Sequence, residues 1–77
     1  MNVNDLLEYA VEESKKIKVG EVFLVRDLFK GYEWNRILRK DRLLLGTLYL
    51  NFIHQNKTSI VPLEKTSAGQ QKYKCLG

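Results

Sequence analysis

Several residue types that build common functional sites are scarce in this chain, which has one cysteine, one histidine and one proline. A single cysteine forms no intramolecular disulfide, which is typical of a protein in a reducing compartment. One cysteine and one histidine are too few for a usual structural zinc site, which takes a full tetrahedral set of such ligands. The composition therefore predicts a domain with no disulfide, no metal and no cofactor.

The chain also lacks a long apolar run. Its longest one, residues 43–53, is interrupted by Thr47 and Asn51 and is about half as long as the roughly 20 residues of a membrane span. Residues 1–14 are acidic, with no basic n-region and no apolar core, so the sequence predicts no signal peptide. We expect a soluble, cytoplasmic protein that contacts no membrane.

Catalytic motifs are also missing. His54, the only histidine, falls near the end of a predicted helix, where the negative end of the helix dipole favours it. Cys75 has no base at a recognisable spacing, so we interpret it as a small buried apolar residue. The sequence has no Gly-rich phosphate loop and no paired-carboxylate motif. It therefore predicts a protein that is not an enzyme.

The charge of the chain, +4 in total, is unevenly distributed. Residues 1–25 carry three lysines against five acidic residues, a net charge of −2, whereas residues 26–77 carry +6. Within the second part, residues 26–42 and 54–77 each carry +3, and the segment between them is uncharged. This asymmetry is typical of a face that binds a polyanion. A solvated surface with spare lysines is the alternative.

The first part of the chain predicts a helix, a short strand and a helical turn. Residues 4–16 place small and apolar side chains at 3-4-3 spacing, and Asn4 is the predicted N-cap. Residues 21–25 form a β-rich run. Residues 27–29 predict one helical turn that ends at Gly31.

A long helix is predicted over residues 42–56, with Asp41 as its N-cap, after a segment of helical propensity over residues 32–42. Its predicted apolar face consists of Leu44, Leu45, Leu48, Tyr49, Phe52 and Ile53. Gly46 costs this helix about 1 kcal/mol relative to alanine, which predicts a close helix crossing at that position.

The last part of the chain predicts a β-hairpin. Residues 58–63 and 71–76 have strand character, and residues 67–69 between them have turn chemistry. Pro62 donates no backbone hydrogen bond, which places the first strand at an edge of the sheet or ends it there. In the second strand, apolar and basic side chains alternate, so one face of the strand is predicted to be apolar and the other basic.

The order of helix, strand, short helix, long helix and hairpin is that of a winged helix-turn-helix, an α+β fold in which the hairpin is the wing and the early strand pairs with it. We expect one domain over residues 1–77. It comprises an N-terminal helix over 1–18, a strand and helix-turn-helix over 19–57, and the wing over 58–77. A generic small α+β domain is the alternative.

Most of the chain resembles a small bacterial family of domains of unknown function. The resemblance covers about residues 19–76 and rests on Gly20, Phe23, Asp27-Leu28-Phe29, Trp34, Leu45-Gly46, Lys65-Thr66 and Tyr73-Lys74. It implies a winged-helix fold, an origin on mobile genetic elements and phages, and binding of single-stranded DNA by some members. It implies no catalytic residue, and its motifs specify the fold better than a binding site.

Basic and aromatic side chains interleave near the start of the long helix. The candidate DNA-binding residues of this segment are Tyr32, Arg36, Arg39, Lys40 and Arg42. An arginine can bind a phosphate through two hydrogen bonds, and an exposed aromatic ring can stack on an unpaired base. We interpret Trp34 as a core residue, because a small domain usually buries its only tryptophan.

The hairpin supplies a second set of candidate DNA-binding residues: Lys57, Lys65, Lys72, Tyr73 and Lys74. A wing lies along phosphates, for which lysine is an adequate point charge, and Tyr73 is an alternative to Tyr32 as the stacking residue. The same lysines would also serve to solvate an exposed strand and to prevent edge pairing, so both interpretations stay open.

We expect a non-catalytic protein that binds single-stranded DNA with little sequence preference and serves replication or transfer of a mobile genetic element. Beyond Arg42 the long helix is uncharged in its middle, which makes it a weak surface for reading duplex DNA. One alternative is a subunit that binds a mobile-element polymerase, primase or helicase, with Tyr9 or Val11 as exposed anchors. A homodimeric transcriptional regulator that binds duplex DNA is the other.

Overall fold

A computed structural model describes residues 2–77 of the chain. In chain order the elements are α1 (Val3–Ser14), β1 (Val22–Leu24), a 3-10 helix (Val25–Leu28), α2 (Gly31–Arg36), α3 (Arg39–Gln55), β2 (Ile60–Lys65) and β3 (Gln71–Cys75). Across residues 2–77 the fold is therefore a small α+β domain with three α-helices and one three-stranded antiparallel sheet. None of these helices is long and apolar enough to cross a membrane.

Helix α1 begins earlier than the sequence predicts. Its N-cap is Asn2 rather than Asn4, and Asn2 Oδ1 accepts a hydrogen bond from the backbone N–H of Asp5 at 2.9 Å. Asparagine is a preferred N-cap residue, so the residue type alone does not choose between the two positions. The helix ends at Ser14, before the predicted end at residue 16.

The predicted helical turn after β1 is a 3-10 helix that begins two residues earlier, at Val25. The backbone N–H of Leu24 donates to Asp27 Oδ2 at 2.8 Å and so caps the start of this turn. Gly31 does not end the turn as predicted, because it is the first residue of α2.

The helical propensity predicted over residues 32–42 is divided between α2 and α3. Helix α3 begins at Arg39, so the prediction of Asp41 as its N-cap is wrong. The N-cap is Leu38, whose carbonyl oxygen accepts hydrogen bonds from the backbone N–H groups of Asp41 and Arg42, both at 3.0 Å. Asp41 therefore lies inside the first turn, where its carboxylate complements the positive end of the helix dipole.

The sheet has the strand order β1-β3-β2, with both pairs antiparallel. The predicted hairpin and the predicted pairing of β1 with it are confirmed, and Tyr73 of the central strand pairs with Phe23 on one side and Pro62 on the other. Strand β2 is an edge strand, which accommodates a proline. Gly69 has a φ of +84° in the hairpin turn, as the turn chemistry predicts.

The core draws side chains from every element except α2. Its members are Leu6, Ala10 and Ser14 of α1, Phe23, Val25, Leu28 and Phe29, Leu45, Tyr49 and Ile53 of α3, and Ile60, Tyr73 and Cys75 of the sheet. The predicted burial of Cys75 is confirmed. Leu44 is 44% exposed, so its assignment to the apolar face of α3 is wrong.

Gly46 makes no close helix crossing, contrary to the prediction. A β-carbon added at this position would meet nothing within 4 Å. Gly46 therefore destabilises the interior of α3 relative to alanine, and no close contact at this position requires a glycine.

We expect Gly46→Ala to raise the free energy of unfolding by about 1 kcal/mol, because alanine is the better helix former and the space is open. Gly69→Ala is the matched control, since its surroundings are equally open but its φ is +84°. That variant should lose about 1–2 kcal/mol, because an L-residue is strained in the left-handed region. Urea denaturation followed by circular dichroism measures both changes, and a destabilising Gly46→Ala would contradict the open space around Gly46.

Two tyrosine hydroxyls are buried in the core. Neither the Tyr49 nor the Tyr73 hydroxyl has a hydrogen-bond partner among residues 2–77. Burial raises the pKa of Tyr73 to about 12, and it raises the pKa of Tyr49 more than the nearby Ser14 hydroxyl lowers it. Burial disfavours the charged phenolate, so the folded state holds these protons more tightly than the unfolded state does.

This difference predicts a loss of stability in alkaline solution. The unfolded state releases the Tyr73 proton near pH 10, its ordinary value, and the folded state near pH 12, so stability falls as the pH rises through this range. Tyr73→Phe should make the loss of stability with rising pH less steep. At neutral pH it should leave the free energy of unfolding nearly unchanged or raise it by about 1 kcal/mol, because it removes an unpartnered hydroxyl. Urea denaturation at a series of pH values tests this, with Tyr32→Phe at an exposed position as control. Identical pH profiles for Tyr73→Phe and the unaltered protein would refute it.

Candidate nucleic-acid interface

A group of cations surrounds α2 and the first turn of α3. We call it the basic cluster and define it as Lys30, Arg36, Arg39, Lys40 and Arg42. All are exposed except Arg42, which is half-buried. The last four are sequence predictions. Lys30 is an addition from the structure: it is the N-cap of α2 and lies between the predicted turn over residues 27–29 and the predicted helical segment over 32–42.

Backbone hydrogen bonds place these cations. The connection between α2 and α3 is only two residues long, so the two helices present their basic residues from adjacent turns of the chain. Glu33 Oε1 accepts the backbone N–H of Lys30 at 3.1 Å, which caps α2 and turns this carboxylate toward the backbone. Leu38 caps α3 through its carbonyl oxygen alone, and its side chain is 61% exposed.

No member of the basic cluster forms an ion pair with a residue of the described chain, 2–77. The ion pairs there lie elsewhere, between Lys15 and Glu12, Lys16 and Glu13, and Lys72 and Glu64. The positive charges of the cluster are therefore left without a direct carboxylate partner.

The first turn of α3 is an unfavourable place for three cations. Arg39, Lys40 and Arg42 lie at the positive end of the dipole of a 17-residue helix, and only Asp41 opposes them there. A cation at this end costs a helix about 0.3–1 kcal/mol, whereas an anion gains a similar amount. Helix N-termini are common anion-binding sites for this reason, and here cationic side chains add to the same field. The arrangement favours an external anion.

Tyr32 presents an exposed ring among these cations. It is 54% exposed, with Arg36 Cζ 5.0 Å and Lys30 Nζ 5.9 Å from its ring centroid. Such distances are typical of cation–π contacts. The ring is therefore accessible and surrounded by positive charge, a combination that proteins binding single strands commonly use.

Trp34 is only partly in the core. It is half-buried, and its ring lies 5.7 Å from that of Phe29, between centroids, on the core side. The guanidinium carbon of Arg42 lies 5.3 Å from its ring centroid, and Arg42 Nε is buried without a hydrogen-bond partner among residues 2–77. Trp34 thus connects α2 to the first turn of α3 and fixes the position of Arg42.

The hairpin candidates are not equivalent. Tyr73 is 0% exposed, so it cannot stack on a base and does not belong to the interface. Its prediction was wrong because its side chain lies on the inner face of the sheet. Lys72 Nζ lies 2.9 Å from Glu64 Oε1, and a neighbouring charge of opposite sign weakens its attraction for phosphate. Lys74 is half-buried between its paired residues Val22 and Val61.

Lys57 and Lys65 are exposed, but they do not lie together: Lys57 precedes β2 and Lys65 is its last residue. Lys57 follows the C-terminal end of α3, about 25 Å along the helix from Arg39. Lys65 ends β2 and pairs with Gln71, at the end of the sheet where β1 leads into the 3-10 helix. Lys57 is thus separate from the basic cluster, which remains the best-defined candidate site.

Within residues 2–77 no group of three or more His, Cys, Asp or Glu side chains is placed to hold a metal ion.

Comparison with known proteins gives a family but no function. No curated protein and no solved structure matches the chain. A family model described as a domain of unknown function, DUF1413, matches residues 8–74, from the middle of α1 to β3. This match begins earlier than the resemblance over residues 19–76, so the family pattern includes part of α1. Because it covers most of the chain, the chain belongs to the DUF1413 family of domains of unknown function.

Proposed function

We propose that this protein is a winged-helix protein that binds single-stranded DNA through the basic cluster, without catalysis and with little sequence preference. The observation that carries the proposal is the set of unpaired cations in the first turn of α3. Local helix energetics disfavour this placement, and proteins tend to violate local rules at functional sites. A phosphate backbone supplies the anions that the chain itself does not.

The winged-helix assignment is supported by the order of the elements. Helix α1, strand β1, two consecutive helices and a terminal hairpin follow one another, and the sheet has the order β1-β3-β2. In a winged helix the second helix of the pair and the hairpin approach DNA. Here the start of that helix, α3, holds three cations of the basic cluster.

The outer face of α3 favours a single strand over a duplex. After the first turn it carries Leu43, 64% exposed, and Leu44, 44% exposed, followed by Thr47 and Asn51. Reading a major groove takes several arginine, asparagine or glutamine side chains that reach base edges, and of these four residues only Asn51 is of such a type. An exposed ring such as Tyr32 suits unpaired bases, for which stacking contributes about 1–3 kcal/mol per base.

Fluorescence anisotropy tests this proposal with a labelled strand of about 30 nucleotides, longer than the roughly 4–16 nucleotides of one small binding domain, and with its duplex. We expect tighter binding of the single strand, with an affinity that falls steeply between roughly 50 mM and roughly 200 mM salt. Arg39→Gln should weaken binding and reduce the slope of log affinity against log salt by about 1, because one phosphate contact is lost.

Lys15→Gln is the matched control, because it removes one positive charge from an ion-paired, exposed residue just after α1. It should leave both the affinity and the salt slope nearly unchanged. Tighter binding of the duplex, binding that does not depend on salt, or an equal loss of affinity in the control would each contradict the proposal.

A second candidate function is binding of a partner protein, such as a replication polymerase, primase or helicase. The observation that favours it is the group of exposed leucines Leu38, Leu43 and Leu44 on and before α3. Tyr9, expected as an exposed anchor for such a partner, is instead half-buried against Phe29. Replacing Leu43 and Leu44 by asparagine distinguishes the two functions. The change should weaken binding of a partner protein and leave the affinity for single-stranded DNA nearly unchanged.

A further inference from the structure

A cleft of about 470 Å³ opens between α1, α2 and the first turn of α3, next to the basic cluster. Its walls are largely apolar and include Tyr9, Phe29 and Leu38, and its polar side chains are Glu33, Arg36 and Asp41. This combination of a mostly apolar pocket with a few polar groups is typical of a small-molecule or base-binding site, and the volume lies in the usual range of about 300–1,000 Å³.

The cleft is continuous with the proposed DNA-binding surface. Arg36 belongs to the basic cluster and also lines the cleft. A row of aromatic rings also links the cleft to the basic cluster. The ring centroids of Tyr9 and Phe29 lie 5.1 Å apart and those of Phe29 and Trp34 5.7 Å apart. Trp34 in turn contacts Arg42 of the basic cluster. A strand whose phosphates lie on the basic cluster would therefore pass the mouth of the cleft.

On the basis of the proposed function, and as its one exception to low sequence preference, we propose that this cleft binds one unpaired base of the strand and prefers guanine. The base would enter beside the half-buried Tyr9 ring, while Arg36 at the mouth holds an adjacent phosphate. Proteins commonly recognise single strands in this way, by stacking an extruded base on an aromatic ring and bonding to its Watson–Crick edge.

The two carboxylates determine the preference. Glu33 uses Oε1 for the backbone N–H of Lys30, which leaves its second oxygen free, and Asp41 forms no ion pair among residues 2–77. An ionised carboxylate only accepts hydrogen bonds. Guanine offers it two donors side by side, N1–H and the 2-amino group. Thymine offers one N–H between two carbonyl oxygens, which repel a carboxylate.

Anisotropy with strands of thymidine that carry isolated guanines tests the inference, since such strands form no Watson–Crick pairs. The unaltered protein should bind the guanine-containing strand about tenfold more tightly than the all-thymine strand, the size of effect that a bidentate base contact gives. Hypoxanthine in place of guanine removes only the 2-amino group and should abolish most of this gain.

Glu33→Gln and Asp41→Asn keep the shape and an acceptor oxygen, so α2 retains its cap, but they introduce a donor. Each should lower the preference for guanine without weakening binding to the all-thymine strand, whereas Glu8→Gln, a matched loss of charge on the exposed part of α1, should not. Equal affinity of the unaltered protein for the two strands would overturn the inference and leave the proposed function intact. Failure to bind either strand would instead refute the proposed function.

Discussion

The fold depends on the contacts of one ring, that of Tyr73. This residue lies in the central strand, is 0% exposed, stacks on Phe23 of β1 at 5.7 Å and meets the ring of Tyr49 in α3 edge-on at 5.0 Å. The other two strands both pair with β3, so this one residue joins the whole sheet to the longest helix. Aromatic contacts of this kind bury a large area, which a small domain without a disulfide needs.

Because the core is built from the other elements, α2 contributes little to its packing. It buries no residue completely and is attached mainly through Trp34, which lies between Phe29 on the core side and Arg42 on the outside. A segment with so little burial can tolerate a sequence that local energetics disfavour. The unpaired cations at the start of α3 follow directly after this segment, which is the part of the chain that contributes least to the core.

The sequence predicts the parts of this fold that depend on period and on turn chemistry. The alternation around Tyr73 correctly gives the inner face of β3, and Gly69 correctly marks the hairpin turn. Element ends are less predictable, since Asn2 and Asn4 satisfy the same capping rule and Leu38 caps α3 without any side-chain signal. Individual side-chain contacts between distant residues are the least predictable: Lys72 reaches Glu64 because a register shift follows Pro62 in β2, and the sequence contains no sign of it.

The same limitation explains why net charge alone describes the candidate site poorly. Residues 26–42 contain three acidic residues, but Asp27 and Glu33 accept backbone N–H groups and Asp41 lies in the first turn of α3. These carboxylates serve the starts of helices and form no ion pair with the arginines beside them. Under the proposed function, phosphates would take the places next to the cations and reduce their mutual repulsion. Binding would then stabilise the folded state at the start of α3, where the repulsion between cations is unfavourable in the free protein.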